Sequence, residues 1–493
     1  MAGKFLKFFT PFVKVMPEIK NPQREVSFKE KFIWTGVVLI IYMIMSNIRL
    51  YGVEIGETTD YFYWLRVILA SQRGTLTELG IGPIVTSGLI MQLLLGSRII
   101  NVNMSDPYDR ALFSGSQKVL AVFLTIFNSV AYLLGGAFGK NLGISDALFI
   151  FAQLVSAGVV IILMDELLQK GWGLGSGVSL FIAAGVAGQI FWNSFSFIGA
   201  GPEGEQIPRG IVIAIFSVTF DNNADTNLAD IFVRQQLPSI LGIITTIIIF
   251  LIVIWFESTR VEIPLTYRGY RGYKGKYPMK LLYVSNIPVI LVNALYANLL
   301  FFGQLIAGPG SGLRVKNGGL IPDFWVNIIG VFRQQESGGA GGGGQLIPSG
   351  GLIWLLTPPL GLADLIAFPL RALLYLVIFI FLCIMLGRVW VEVSGLSPRD
   401  IAGQILDSQM AVPGFRSSEK TLERILKRYI PTLVILNGVL IAVLSFFADS
   451  LGALTSGTGL LITIGIIHQY AETISKELAA SQYPGLRGML GMD

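Results

Sequence analysis

The sequence has almost none of the side chains on which metal and thiol chemistry depend. It contains one histidine, His468, and one cysteine, Cys383, among 493 residues. A single cysteine cannot form an intrachain disulfide or a cysteine metal cluster, and a single histidine excludes a histidine-rich zinc centre. We therefore interpret both as structural residues, and we predict no metal and no cofactor.

Charged side chains and phosphate-binding motifs are also scarce. Charged residues make up 14% of the chain and hydrophobic residues 53%, and the mean hydropathy is +0.66. This composition indicates a polytopic membrane protein. The glycine-rich strings GWGLGSGVS and GPGSGL neither follow a strand nor supply the lysine of a P-loop. The sequence therefore has no nucleotide motif that could power a transport step.

Ten apolar runs are each close to the roughly 20 residues that a bilayer requires. The ten predicted spans are residues 32–48, 79–97, 119–139, 147–164, 172–192, 238–256, 281–307, 372–391, 430–448 and 451–471. An even number of spans places both termini on one side. Most of the 36 lysines and arginines then fall in segments on that side, so we predict cytoplasmic termini.

The segments outside the spans differ in character. The amino-terminal segment 1–31 is basic and amphipathic, and residues 472–493 form a tail. On the external side lie a loop, 193–237, and an insert, 308–369, whose string ESGGAGGGGQ predicts a flexible segment. The cytoplasmic loops, about 258–280 and 392–429, are rich in charge. Composition leaves open whether these two loops bind a partner or only anionic headgroups.

Small residues surround two aliphatic pairs that are spaced for one helix face. Ile81 and Val85 form the first pair, and Val178 and Ile182 form the second. Close helix packing is one explanation for this spacing, and an aliphatic path through the membrane is another. Separately, the string DYFYWLRVILASQRG, residues 60–74, is too short and too charged to cross, and its pattern alone favours an interfacial anchor.

Five strings resemble the SecY family, the channel-forming alpha subunit of the Sec protein translocon, in its archaeal type, and the resemblance runs in order over about residues 29–474. These strings are LGIGPIVTSGLIMQLL, DELLQKGWGLGSGVSLFIAAGV, KYPMKLLYVSNIPVIL, LKRYIP and GALTSGTGLL. The resemblance implies an all-α polytopic membrane protein with ten transmembrane helices. It further implies two inverted pseudo-symmetric halves of five, residues 32–192 and 238–471, with a short plug helix at about 60–71.

The resemblance also implies roles for individual residues. A pore ring of six aliphatic side chains would comprise Ile81, Val85, Val178, Ile182, Ile290 and Ile462. The polar cluster of a lateral gate would comprise Thr86, Asn128 and Asn298. The plug, which replaces the interfacial anchor, would include Asp60, Trp64, Ile68 and Ser71. Ribosome docking would involve Arg268, Arg271 and Arg416.

The function implied by the resemblance is passive protein conduction, not enzymatic catalysis. Secretory chains would cross, and transmembrane segments would leave sideways into lipid, driven by a partner such as the ribosome. Other expected partners are SecE/gamma-type and beta-type small membrane subunits, the signal-recognition targeting machinery, nascent polypeptides with signal sequences, and membrane lipids. The location would be the archaeal plasma membrane, or the endoplasmic reticulum membrane in a eukaryote. A secondary transporter and an intramembrane hydrolase are the alternatives, although neither a midplane ion site nor a catalytic dyad is evident.

Overall fold

The structure is a computed structural model that is mainly helical. It describes residues 4–24, 26–53, 71–97, 99–100, 102, 106–134, 138, 143–198, 207–220, 231–234, 237–267, 274–308, 321–335, 345–359, 361–408, 410–411 and 418–482. The helices are α1 (Lys4–Val15), α2 (Phe28–Asn47), α3 (Gly82–Gly96), α4 (Pro107–Leu134), α5 (Ile144–Leu167), α6 (Gly177–Phe195), α7 (Ile211–Phe220), α8 (Ile240–Ser258), α9 (Ile287–Ala307), α10 (Asp323–Ile329), α11 (Gly351–Leu356), α12 (Gly361–Ala367), α13 (Pro369–Val393), α14 (Pro398–Asp407), α15 (Glu419–Ser450) and α16 (Gly457–Gln482). The strands are β1 (Arg260–Tyr267), β2 (Lys274–Lys280), β3 (Val331–Gln335), β4 (Gln345–Gly350) and β5 (Met410–Ala411).

Each of the ten predicted spans coincides with one helix. In order, the spans are α2, α3, α4, α5, α6, α8, α9, α13, α15 and α16. Among the described residues, seven helices are long and apolar enough to cross a membrane, and α3 is a shorter apolar helix. Three helices extend well past the predicted borders. Helix α4 begins at Pro107, α15 begins at Glu419, and α16 ends at Gln482. Hydropathy detects only the apolar part of a helix, whereas the backbone continues its hydrogen bonding into water.

The connections contain strands that the all-helical prediction did not include. Strands β1 and β2 form an antiparallel hairpin in the loop 258–280, and β5 pairs with β1, so the strand order is β2-β1-β5. In the insert 308–369, β3 pairs with β4. The glycine-rich residues 336–344 lie outside the described residues, but Gln345 begins β4. The prediction of a flexible segment thus concerns residues that the structure mostly does not describe, and the strands on either side of it were not predicted.

The spans enclose one large buried cluster of apolar side chains to which both halves of the chain contribute. In the first half, the ring of Tyr42 on α2 stacks on that of Phe181 on α6, with centroids 4.3 Å apart. In the second half, Tyr375 and Phe379 of α13 stack at 5.5 Å, and Tyr296 of α9 contacts both. These aromatic contacts stabilise each half within itself.

Ion pairs attach the amino-terminal segment to the adjacent ends of the first-half spans. Lys170 Nζ lies 2.5 Å from Glu18 and 3.1 Å from Glu166, and Glu166 also pairs with Lys118 at 2.5 Å. The hydrogen bond from Lys170 and its positive charge lower the pKa of the Glu18 carboxyl. The segment that precedes span 1 is thereby fixed to the turn that joins spans 4 and 5.

Two aspartates cap equivalent helices in the two halves. Asp165, near the end of α5, accepts hydrogen bonds from the Val178 backbone N–H at 3.0 Å and from Gln169 Nε2 at 2.7 Å. Asp449, near the end of α15, accepts one from the Gly457 N–H at 2.7 Å. Each carboxylate satisfies an unpaired donor in the first turn of the following span. Because spans 4 and 9 have the same place in their halves, the paired caps support the predicted pseudo-symmetry.

Replacing Asp165 with leucine is expected to destabilise the protein by about 1–3 kcal/mol, because the buried donors of α6 lose their acceptor. Thermal unfolding of the purified protein in detergent measures the effect as a lower melting temperature. Asp165→Asn keeps one acceptor oxygen and is the matched control, with a smaller shift. Equal melting temperatures for Asp165→Leu and the parent would show that the cap contributes nothing.

Candidate functional site

The central cluster brings together the six aliphatic residues that were predicted as a ring. Two come from the start of α3, two from α6, one from α9 and one from α16. Three of the six side chains are buried in the cluster and the other three pack against it. The buried ones are Ile81, Ile182 and Ile462, and the packed ones are Val85, Val178 and Ile290. Four helices from both halves therefore contribute these six residues, which we call the aliphatic centre, to one apolar cluster.

Four of these six positions are related by the pseudo-symmetry of the chain. Val85 and Ile290 each lie two residues after a proline in the first turn of a helix, α3 or α9. Ile182 and Ile462 are each the sixth residue of a helix, α6 or α16. Proline is suited to the first turn because the N–H that it lacks has no helical partner there. The same local geometry therefore supplies the centre from both halves.

A buried asparagine fixes the start of α9 against α16, and the sequence reasoning missed it. Asn286 Nδ2 donates to the backbone carbonyl oxygens of Leu461, at 3.0 Å, and Ile462, at 3.5 Å. The two helices approach closely here, since a Cβ built on Gly465 would lie 1.9 Å from Asn286 Nδ2. Asn286 thereby sets the position of Ile290 relative to Ile462, two residues of the aliphatic centre.

The turn before α9 has a strained backbone that two more buried polar residues hold. Ser285 has a φ of 52°, a left-handed conformation that no other described residue except glycine adopts. Its carbonyl accepts a hydrogen bond from Asn437 Nδ2 at 3.2 Å, and its hydroxyl donates to Glu257 at 3.3 Å. A polar residue inside an apolar run, such as Asn437, is the signal that could have revealed this network.

The three polar residues predicted for the lateral gate line one small cavity between α3, α4 and α9. Asn298 Nδ2 donates to Thr86 Oγ1 at 3.0 Å and to the Ala294 carbonyl at 2.6 Å. Asn128, on α4, lines the same cavity. The structure therefore brings Thr86, Asn128 and Asn298 together, with a direct bond from the first half of the chain to the second.

Aromatic contacts close the same seam, which we define as the contact of α3 and α4 with α9 and α13. Tyr132 of α4 stacks on Phe301 of α9 at 5.6 Å, and Phe127 contacts Phe302 at 6.2 Å. Helix α3 also packs against α13. The seam is therefore shut by dispersion contacts and few hydrogen bonds, which can separate without leaving a buried charge unpaired.

Hydrogen bonds tie together the two stretches of chain that flank the predicted plug segment. The Leu50 N–H donates to the Gly74 carbonyl at 2.8 Å, and the Leu76 N–H donates to that of Ile48 at 3.1 Å. The half-buried Ser71 lies at the edge of this bridge. The other predicted plug residues, Asp60, Trp64 and Ile68, lie outside the described residues.

One carboxylate joins the β1–β2 hairpin to α16. Glu472 accepts from Arg260, at 2.9 Å, and from Lys280, at 3.0 Å, and these two residues face each other at the base of the hairpin. His468 Nε2 lies 3.4 Å from the same carboxylate. Burial raises the pKa of Glu472, but the bond from Lys280 and the nearby positive charges outweigh it and lower the pKa overall.

The predicted docking arginines are at loop tips that the structure does not describe. Arg268 and Arg271 fall between β1 and β2, and Arg416 falls between β5 and α15. Because β5 pairs with β1, the strands that lead to both tips belong to one sheet. As for metal binding, the described part of the chain contains no group of three His, Cys, Asp or Glu side chains that could hold an ion.

Comparison with known proteins agrees with this geometry. The SecY family profile matches residues 75–471, and the profile of the plug domain of Sec61p matches residues 40–74. Similar solved structures include a protein-conducting channel, with 37% identity over 95% of this chain and 97% of its own and a TM-score of 0.74. A SecY channel, described for a plug domain that stabilises its closed state and maintains a membrane seal, has 36% identity, the same coverages and a TM-score of 0.73.

A eukaryotic structure matches equally well. Sec61 in the canine ribosome–channel complex from the endoplasmic reticulum has 37% identity over 95% of this chain and 97% of its own, with a TM-score of 0.72. The family match covers most of the chain, and the structural matches cover nearly all of it. This chain therefore belongs to the SecY family.

Proposed function

We propose that this chain is the pore-forming subunit of a protein-conducting channel. It passes secretory polypeptides across the membrane and releases transmembrane segments into lipid through the seam. The observation that carries the proposal is the convergence of six branched aliphatic side chains, from both halves of the chain, in one cluster. Beside this cluster lies a seam that the hydrogen bond from Asn298 to Thr86 and aromatic contacts hold together.

An aliphatic ring suits a path for polypeptides. Branched aliphatic side chains form no hydrogen bonds that would arrest a moving chain, and a narrow apolar constriction dewets when it is empty. A chain of any sequence can then pass, while ions meet a barrier. In this proposal Ile81, Val85, Val178, Ile182, Ile290 and Ile462 are the ring, and residues 60–71 are the plug that blocks the external mouth.

The seam supplies the lateral exit. Thr86, Asn128 and Asn298 are the polar residues of this gate, at the boundary where α4 meets α9. Parting α3 and α4 from α9 and α13 would open the channel interior to lipid. A sufficiently apolar segment then moves into the hydrocarbon because its transfer from water is favourable.

The sheet on the cytoplasmic side is the proposed docking surface for a ribosome. Arg268, Arg271 and Arg416 lie in loops at its edge, and arginine binds RNA phosphate well. The canine relative is a channel in complex with a ribosome. We also propose SecE/gamma-type and beta-type small subunits and the targeting machinery as partners, and cytoplasmic termini in the archaeal plasma membrane or the endoplasmic reticulum.

The ring is tested by replacing Ile81, Val178 and Ile290 together with serine. Resting ion conductance in planar bilayers is expected to rise, and to rise further when residues 60–71 are deleted, because polar side chains let water fill the constriction. Secretion should continue. The control carries serine at the exposed positions Ile247, Ile248 and Leu251 of α8 and should not leak. If the ring variant without the plug conducts no more than the parent, the six residues are only packing.

The gate is tested by single leucine substitutions at Thr86, Asn128 and Asn298. Leucine packs without requiring a hydrogen bond, so the closed seam should become more stable. The expected result is that a signal sequence must be more hydrophobic to insert, measured with a series of graded signals. Thr86→Ser keeps the acceptor for Asn298 and should leave the threshold unchanged. An unchanged threshold in all three leucine variants would contradict the assignment.

Docking is tested with the double variant Arg271→Glu and Arg416→Glu. Ribosome binding should weaken most at low salt, since each change replaces an attraction to phosphate with a repulsion that salt screens. Co-sedimentation of purified channel with ribosomes across a salt series measures it. Arg333→Glu, on external strand β3, is the control. Equal binding of the double variant and the parent would place docking elsewhere.

A further inference from the structure

The short helix α10, in the external insert, has three distinct faces. Val326 is buried, and Ile329 packs beside it in the same small cluster. The polar residues Asp323 and Asn327, spaced i, i+4, share a second face. The third face is apolar but not covered by the described protein, and it consists of Phe324, Trp325 and Ile328.

Contacts with α9 fix the position of α10 along span 7. A Cβ built on Gly303 of α9 would lie 1.8 Å from Ile353 Cδ1 and 3.6 Å from Ile329 Cγ2, so the insert packs directly on this glycine. Gly303 lies four residues before the end of α9 at Ala307, which is about 6 Å along a helix. The insert is therefore seated against the last turn of span 7, at the end of a helix whose 21 residues match the thickness of the hydrocarbon.

The exposed face of α10 is more apolar than is usual for a protein surface in contact with water. Phe324 is 67% exposed, Trp325 56% and Ile328 45%, and the two rings contact each other with centroids 5.6 Å apart. On the adjoining turn of α9, Phe302 is also 43% exposed, as expected for a span in contact with lipid. Helix α9 and the helix α10 that packs beside it therefore both have exposed apolar side chains.

A buried arginine holds the insert to the next span as well. Arg371, in the first turn of α13, donates through Nε to the Trp354 carbonyl and through a terminal nitrogen to the Thr357 carbonyl, both at 3.0 Å. Its guanidinium also lies 4.7 Å from the centroid of the Trp354 ring. The insert is therefore attached to both span 7 and span 8, and these contacts fix the position of α10.

We propose that α10 is an interfacial lipid-binding helix. Phe324, Trp325 and Ile328 contact phospholipid at the boundary between headgroups and acyl chains of the external leaflet, while Asp323 and Asn327 face water. Aromatic side chains, tryptophan above all, favour this boundary because an apolar ring meets a polar surface there. The insert is thus anchored in the membrane next to the α9 side of the seam.

The test uses the complete channel complex in phospholipid vesicles. The buried Cys383 is replaced with alanine, and a polarity-sensitive fluorophore is attached to a single new cysteine, at Phe324→Cys or Asn327→Cys. These neighbouring positions occupy different faces of the same helix, so each serves as the matched control of the other. Quenching is compared for a lipid with a nitroxide high on its acyl chain and for aqueous iodide.

We expect the label at position 324 to be quenched several-fold more by the lipid nitroxide than the label at 327, and the order to reverse with iodide. Ser349→Cys, at an exposed position of β4 in the same insert, should respond to iodide only. Equal iodide quenching at 324 and 327 would show that α10 stands in water. Protection of position 324 from both quenchers would show that a protein covers this face. Either result overturns the proposal.

Discussion

The absence of water inside the membrane is the constraint on which this structure depends. Wherever a chain stops being helical at that depth, its freed backbone groups must find partners within the protein. Here the partners are side chains of adjacent segments: Asp165 and Asp449 cap the helices that follow them, and Asn286 binds carbonyl groups of α16. Each interruption of a helix is therefore also a link between helices, and the links surround the aliphatic centre.

The proposed channel has two kinds of closure, and each matches the medium beyond it. In the proposed ring, branched aliphatic side chains exclude water along the membrane normal. In the proposed gate toward lipid, the seam between α4 and α9 combines stacked aromatic rings with the hydrogen bond from Asn298 to Thr86. An all-apolar seam would lose no hydrogen bond on opening. The polar groups of this seam must stay hydrogen-bonded, so its opening depends on which partner replaces the broken bond.

Much of this arrangement could be predicted from the sequence, because hydropathy and charge distribution act on whole segments. The ten runs became ten helices, and the resemblance placed the ring residues in what proved to be one cluster. Helix ends were less predictable: α4, α15 and α16 continue into water, where the apolar pattern that defines a span is lost. The strands and the roles of Asn286 and Asn437 were missed, because they depend on which segments meet in space.

The bridge between Leu50 and Gly74 has an energetic consequence. It closes a loop of 23 residues, 51–73, between two points of the scaffold that are bonded to each other. The entropy cost of closing a loop grows only with the logarithm of its length, by about 0.6 kcal/mol for each doubling. The free energy that holds the two flanking spans together at this bridge therefore depends little on how many residues lie between them, so the length of the loop can vary while the scaffold stays the same.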